Sequence, residues 1–223
     1  MAQFEVLTQN NVNFVEIMLD NETVKAESGA MRYMLGDIEM VSKMPGIGGF
    51  LKAKVTGETI FRPTYTGTGK LVLEPSLRDF YELELAGETL ILDQGAYWAS
   101  DGAVEISAKR NKLMSGTVSG EGLFQTSASG HGSVIICSPG PIEAIDMVND
   151  RLVVDGSFAV ARTDSLKFSV QKSSKGLIGS MTSGEGLVNV LEGSGRVYLA
   201  PIPNQNVVME EVMRSAVYGM TRK

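Results

Sequence analysis

A block of glycines, an acid and a proline occurs three times in this chain at nearly constant spacing. Gly57, Glu58, Thr59, Ile60 and Phe61 lead to Gly67, Thr68, Gly69 and Pro75. Gly120, Glu121, Gly122, Leu123 and Phe124 lead to Gly130, His131, Gly132 and Pro139, and Gly184, Glu185, Gly186, Leu187 and Val188 lead to Gly193, Ser194, Gly195 and Pro201. The steps are 63 residues (57 to 120) and 64 residues (120 to 184). Copies of one unit act as internal controls, so each position can be judged against two siblings in the same chain.

The recurrence extends upstream of each block. Ile17, Leu19, Asn21, Glu22 and Val24 match Leu83, Leu85, Gly87, Glu88 and Leu90, and then Ile145, Met147, Asn149, Asp150 and Leu152. Apolar residues alternate up to an Asn or Gly plus an acid and then resume, the pattern of a strand, a two-residue turn and a second strand. An acid and a glycine follow: Glu27 with Gly29, Asp93 with Gly95, and Asp155 with Gly156. A further alternating strand comes next, through Ile38 and Met40, Val104 and Ile106, or Leu166 and Phe168. The units therefore cover residues 12–77, 78–141 and 142–203, followed by a tail at 204–223. In the tail, Val208, Val212 and Ser215 or Ala216 recur at helical spacing behind Asn206, a candidate cap; a short helix and a last strand both fit. The expected fold is all-β, with three units packed as one compact β body and residues 1–223 as a single domain.

Composition suits that fold. There are 25 glycines and only 7% aromatic residues, as many short strands and tight turns require. A net charge of −6 and a pI near 5.0 favour solubility and oppose a broad phosphate-binding surface, so nucleic acid is disfavoured as a partner. One cysteine excludes an internal disulfide. With no apolar run of 18 residues and no basic, apolar leader, the expected location is cytoplasmic.

The joining loops of the first and third units are apolar and glycine-rich: residues 44–51 (MPGIGGFL) and 175–181 (KGLIGSM). Such residues either fold back over the core, the usual fate of apolar loop residues, or form a contact surface for a protein partner or a membrane.

Candidates for chemistry weaken when set against their siblings. His131 is the one histidine, and Thr68 and Ser194 hold its place in the Gly-x-Gly turn, so an exposed turn residue is expected. Cys137, two residues before Pro139, matches Leu73 and Leu199 and is read as core. The acids recurring in all copies (Glu58, Glu121, Glu185; Glu27, Asp93, Asp155) suit tight turns better than a cation site, since a folding role is needed by every copy. No Gly-Lys-Ser/Thr makes the glycines a phosphate loop. Trp98, whose siblings are Arg32 and Ala159, is the clearest departure of one copy; it either floors a pocket or fills a packing gap.

The Gly-Glu-x-aliphatic strand, the Gly-x-Gly motif, its closing proline and the Lys-Gly-Leu loop of KGLIGSMTSGEGLV resemble the mitochondrial-biogenesis family named for altered inheritance of mitochondria, over essentially the whole chain. The resemblance implies β units similar to those of the tryptophan RNA-binding attenuation protein (TRAP-like), fused in one polypeptide. It also implies assembly into ring-like homo-oligomers, a trimer being favoured, and it offers no catalytic residue to carry over. Met44-Pro45-Gly46 departs from the plain Lys-Gly-Leu run and leaves the role of the first loop open. The expectation is a non-enzymatic oligomeric scaffold or interaction protein with no catalytic, cofactor-binding or metal-binding residues, its binding residues unknown. The alternative is a regulatory binder of a small molecule or RNA. A metal-dependent enzyme of the cupin kind is disfavoured by the single histidine.

Overall fold

A computed structural model describes residues 1–42, 62–110, 124–155, 158–172 and 187–203. The chain is all-β, as its alternating pattern dictates. In order, the described strands are β1 (Gln3–Gln9), β2 (Val12–Ala26), β3 (Met31–Val41), β4 (Thr64–Leu73), β5 (Asp79–Leu92), β6 (Tyr97–Asp101), β7 (Glu105–Arg110), β8 (Phe124–Ser138), β9 (Glu143–Asp155), β10 (Ala159–Thr163), β11 (Lys167–Lys172) and β12 (Leu187–Leu199). Where the sequence offers one domain over 1–223, contacts divide the chain into two units, Met1–Ser138 and Pro139–Lys223. The candidate helix of 206–218, the loops 44–51 and 175–181, and Glu58, Glu121 and Glu185 lie outside the described residues.

In the first unit β4 lies between β2 and β3, and β8 lies between β5 on one side and β6 then β7 on the other. All these pairings are antiparallel. β2 also pairs with β6 through Val24↔Asp101, Lys25↔Ser100 and Ala26↔Ala99. β1 runs along the first half of β2 after a two-residue turn, Asn10-Asn11, whose φ values of 53° and 61° mark a type I′ hairpin. In the second unit β12 lies between β9 on one side and β10 then β11 on the other. Each recurring segment thus places its last strand centrally.

The Asn-or-Gly-plus-acid pairs are not turns. β2, β5 and β9 run straight through them, and each carries a bulge there: the ladder shifts between Asp20 and Glu22, between Ala86 and Thr89, and opposite Gly193/Gly195. Asn21 (φ 58°), Gly87 (φ 108°) and Asn149 (φ 51°) take the positive φ that a bulge requires, the same demand that a hairpin turn makes. The Gly-x-Gly motifs likewise sit within β4, β8 and β12 instead of at their ends, directly across from the bulges.

The residue between the glycines holds each bulge in two of the three segments. Thr68 Oγ1 accepts the Asn21 N–H at 2.9 Å, and Ser194 Oγ accepts the Asn149 N–H at 2.9 Å. The acid that follows the bulge serves the same end, since a Glu22 carboxylate oxygen accepts the Asp20 N–H at 3.3 Å and a Glu88 oxygen the Ala86 N–H at 2.9 Å. The flanking glycines allow close strand approach. A Cβ on Gly69 (φ 150°) would collide with the Leu35 carbonyl oxygen, and one on Gly132 (φ 129°) would lie 2.9 Å from an Asp101 carboxylate oxygen.

Alternate residues of these strands point inward. Val15, Ile17, Leu19, Tyr65, Leu71, Leu73, Phe80, Ala99, Ile135 and Cys137 form the core of the first unit, with Met34, Ile38 and Trp98 packed against it. Met147, Leu166, Leu191 and Val197 form a second cluster, flanked by Ile145, Leu152 and Phe168, in the other unit. Gly69→Ala should lower stability by about 2–3 kcal/mol, because it imposes both an unfavourable φ and a backbone collision. Thr68→Val should remove about 1 kcal/mol, the worth of one hydrogen bond. Urea unfolding followed by tryptophan fluorescence measures both, and equal losses would contradict this division of roles.

Candidate functional site

The first unit holds a half-buried charged pair that no sequence pattern announced. Glu27 opens a four-residue turn after β2, in which the Ala30 N–H donates to the Glu27 carbonyl at 3.1 Å and Gly29 (φ 82°) supplies the positive φ. Asp93 and Gly95 (φ 73°) build the same turn, closed by Ala96 N–H to Asp93 O at 3.1 Å. The recurring acids at 27 and 93 therefore sit in turns, as expected. The Glu27 side chain also reaches beyond its turn, accepting from Arg62 Nη1 in a short ion pair and from the Ser28 N–H at 3.2 Å.

The Arg62 guanidinium lies 4.9 Å from the ring centre of Tyr97, whose hydroxyl shares a 3.0 Å hydrogen bond with Ser100 Oγ. Burial raises the Glu27 pKa and lowers that of Arg62, in each case outweighing the attraction of the partner charge. Burial also pushes the Tyr97 hydroxyl far above its ordinary value. The pair thus fixes geometry more than it adds stability.

Trp98 lies beside this group. It packs on the core, its ring 5.3 Å from Phe80 and under the Arg78 guanidinium at 5.9 Å, and its carbonyl accepts the Glu27 N–H at 2.7 Å. The ladder shifts at Arg32, Trp98 and Val160, so the third sibling of the tryptophan is Val160 and not Ala159. All three occupy a bulge at the start of the second strand.

His131 is exposed and pairs with Ala86 in mid-strand, so it is a strand residue and not a turn residue. Its imidazole lies over Gly87, where an added Cβ would meet Cε1 and Nε2 at 3.3 Å. Cys137 is buried in the core and its thiol is pushed up to about 11 by burial, an inert state. Its ladder counterparts are Glu74 and Ala200, one residue beyond the leucines expected: the N–H groups of Glu74, Cys137 and Ala200 donate to Ala30, Ala96 and Phe158 at 2.6, 2.7 and 2.8 Å. Among the described residues no three His, Cys, Asp or Glu side chains are grouped to hold a metal ion.

A different surface stands out at β3. Its one strand partner among the described residues is β4, and it ends the strand order. Tyr33 (45% exposed), Leu35 (67%), Met40 and Val41 are exposed along it, beside the exposed charges of Arg32, Asp37 and Glu39. No described helix is long and apolar enough to cross a membrane.

Replacing Arg62 by Met should leave the half-buried Glu27 carboxylate without its cation, with a loss of about 1–2 kcal/mol at neutral pH. Glu27 already sits above the ordinary value of 4.5, and losing the arginine's attraction moves it higher. Protonation of Glu27 relieves the penalty, so the loss shrinks as the pH falls through that raised value. Chemical denaturation of both proteins at several pH values checks it; a loss that grows on acidification would contradict it.

Comparison with known proteins agrees with the strand architecture. An uncharacterized protein of Streptococcus pyogenes serotype M6 is 27% identical over 198 residues, covering 83% of this chain and 79% of that protein. A Streptococcus pyogenes protein solved by X-ray crystallography superimposes with a TM-score of 0.76 at 24% identity, covering 94% of this chain and 98% of the other, a likeness of fold. The profile of the family described as Mitochondrial biogenesis AIM24 matches residues 4–202. Nearly every described strand falls within that match, and the chain belongs to the AIM24 family.

Proposed function

We propose that this protein is a non-enzymatic scaffold or interaction protein, built of three TRAP-like repeats, that works as a cytoplasmic homo-oligomer, with a trimer favoured. The observation that carries this reading is the edge of β3 that has no strand partner among the described residues. Eleven residues long, with Tyr33, Leu35, Met40 and Val41 exposed, it offers backbone groups and apolar side chains together. Long edges with exposed apolar residues are normally covered, and pairing with another copy of the same chain is a common way to cover them. The roles of the described recurring residues support the non-enzymatic part: Gly69 and Gly132, Thr68 and Ser194, and the acids at 22, 27, 88 and 93 are engaged in bulges and turns, and the cysteine is inert. A buried single cysteine also fits a reducing compartment.

Light scattering coupled to size exclusion should give the mass of several 23.9 kDa chains, three on the favoured reading. Leu35→Lys, which adds a charge to the exposed side of β3, should shift the protein to monomer while far-UV circular dichroism stays unchanged. A wild-type protein that is monomeric at micromolar concentration would overturn the reading.

A further inference from the structure

Arg162 is out of character for its position. It lies in β10 directly across from Val197 of β12, so its side chain rises from the apolar face of that sheet, where Val197 is fully buried. The corresponding ladder positions of the other segments hold Met34, opposite Leu71, and Ser100, opposite Val134. Met34 packs on its core, which shows that an apolar residue satisfies the packing demand at this place. The third segment nevertheless carries a guanidinium there.

That guanidinium is only 7% exposed, and its centre lies 4.7 Å from the ring centre of Phe168. Its Nε–H is buried and has no acceptor among the described residues. Arg62 offers a partial contrast: its Nε–H is likewise buried without an acceptor and its guanidinium is stacked on Tyr97, but its Nη1 is joined to the Glu27 carboxylate, a counter-charge in direct contact. For Arg162 the acid that acts through space is exposed Asp164, two residues along the chain.

We propose that Arg162 anchors an oxyanion-binding site in the second unit, taking a carboxylate or phosphate group of a small molecule. A buried cation is costly unless a counter-charge and hydrogen-bond acceptors meet it, and an oxyanion supplies both. Arginine suits this role better than lysine, because its planar fork matches two oxygens of a carboxylate or phosphate at once. Stacking on Phe168 fixes the plane of that fork before the ligand arrives, which reduces the ordering cost of binding. The methionine and serine at the sibling positions limit the site to one per chain.

The test reads the Nε–H resonance directly. Inorganic phosphate, and separately acetate, each balanced against chloride at constant ionic strength, is titrated into ¹⁵N-labelled full-length protein while arginine Nε–H signals are recorded. One signal, assigned by its loss in Arg162→Lys, should shift and saturate. Whichever of the two anions saturates it at the lower concentration identifies the headgroup class. In parallel, phosphate or acetate should raise the Tm of the wild type and leave that of Arg162→Met, which installs the residue of the first segment, unchanged.

A shift that stays linear up to about 100 mM of both anions would overturn the proposal, as would an equal rise of Tm in the Met variant. If that variant fails to fold, the wild-type titration alone decides the question.

Discussion

The contact on which the sheets depend is the crossing of a bulged strand over a Gly-x-Gly strand. A bulge leaves one N–H out of register and demands a positive φ; the facing strand must come close without side chains and still supply an acceptor. In two segments the acceptor is a hydroxyl, Thr68 or Ser194, directed at the N–H of an asparagine. In the other, glycine and histidine take these places, Gly87 under the ring of His131. Conformation and side-chain choice are thus coupled across the ladder: asparagine with a short hydroxyl, or glycine with a broad ring.

Among the described residues the acids at 27 and 93 follow the recurrence, whereas the arginines placed inside, Arg62 and Arg162, depart from it. Five residues before the first glycine of each motif stand Arg62, Gln125 and Val188, and only the arginine finds a half-buried acid. At the start of the second strand stand Arg32, Trp98 and Val160, and only the tryptophan packs over a core against Phe80. Arg62, Tyr97 and Trp98 therefore gather in one region of the first unit, on the segments whose Pro63 and Trp98 carbonyls accept the N–H groups of Ala26 and Glu27. Burial outweighs attraction for both members of the ion pair, so their placement specifies one arrangement of turn and strand at some cost in stability.

Much of this is readable in the chain. The all-β architecture follows from strict alternation, and the correspondence Asn21–Glu22, Gly87–Glu88, Asn149–Asp150 read from sequence is the one the ladders display. What alternation cannot reveal is whether a residue with positive φ closes a turn or sits in a bulge, because both demand the same backbone angle and only the partner strand distinguishes them. Hence the expected turns are continuous strands, while the true hairpin turn, Asn10-Asn11, has no copy elsewhere in the chain to mark it. Counting back from the prolines also misplaces Cys137 by one, since five residues separate Gly69 from Pro75 and Gly195 from Pro201 but six separate Gly132 from Pro139. The ion pair of Glu27 and Arg62, 35 residues apart, leaves only one trace: an arginine where its siblings carry neutral residues.

If the recurring residues serve backbone geometry, then residues 87 and 131 must behave as one unit. A double-mutant cycle made of Gly87→Asn, His131→Ser and their combination, followed by urea unfolding, measures this directly. Geometry predicts that asparagine alone is destabilising, because φ at residue 87 is 108°, which side chains rarely adopt, and the imidazole tip must also give way to the added Cβ. Adding serine should recover at least about 1 kcal/mol, by rebuilding the asparagine–hydroxyl bulge found at Asn149 and Ser194. Strictly additive losses would contradict the account.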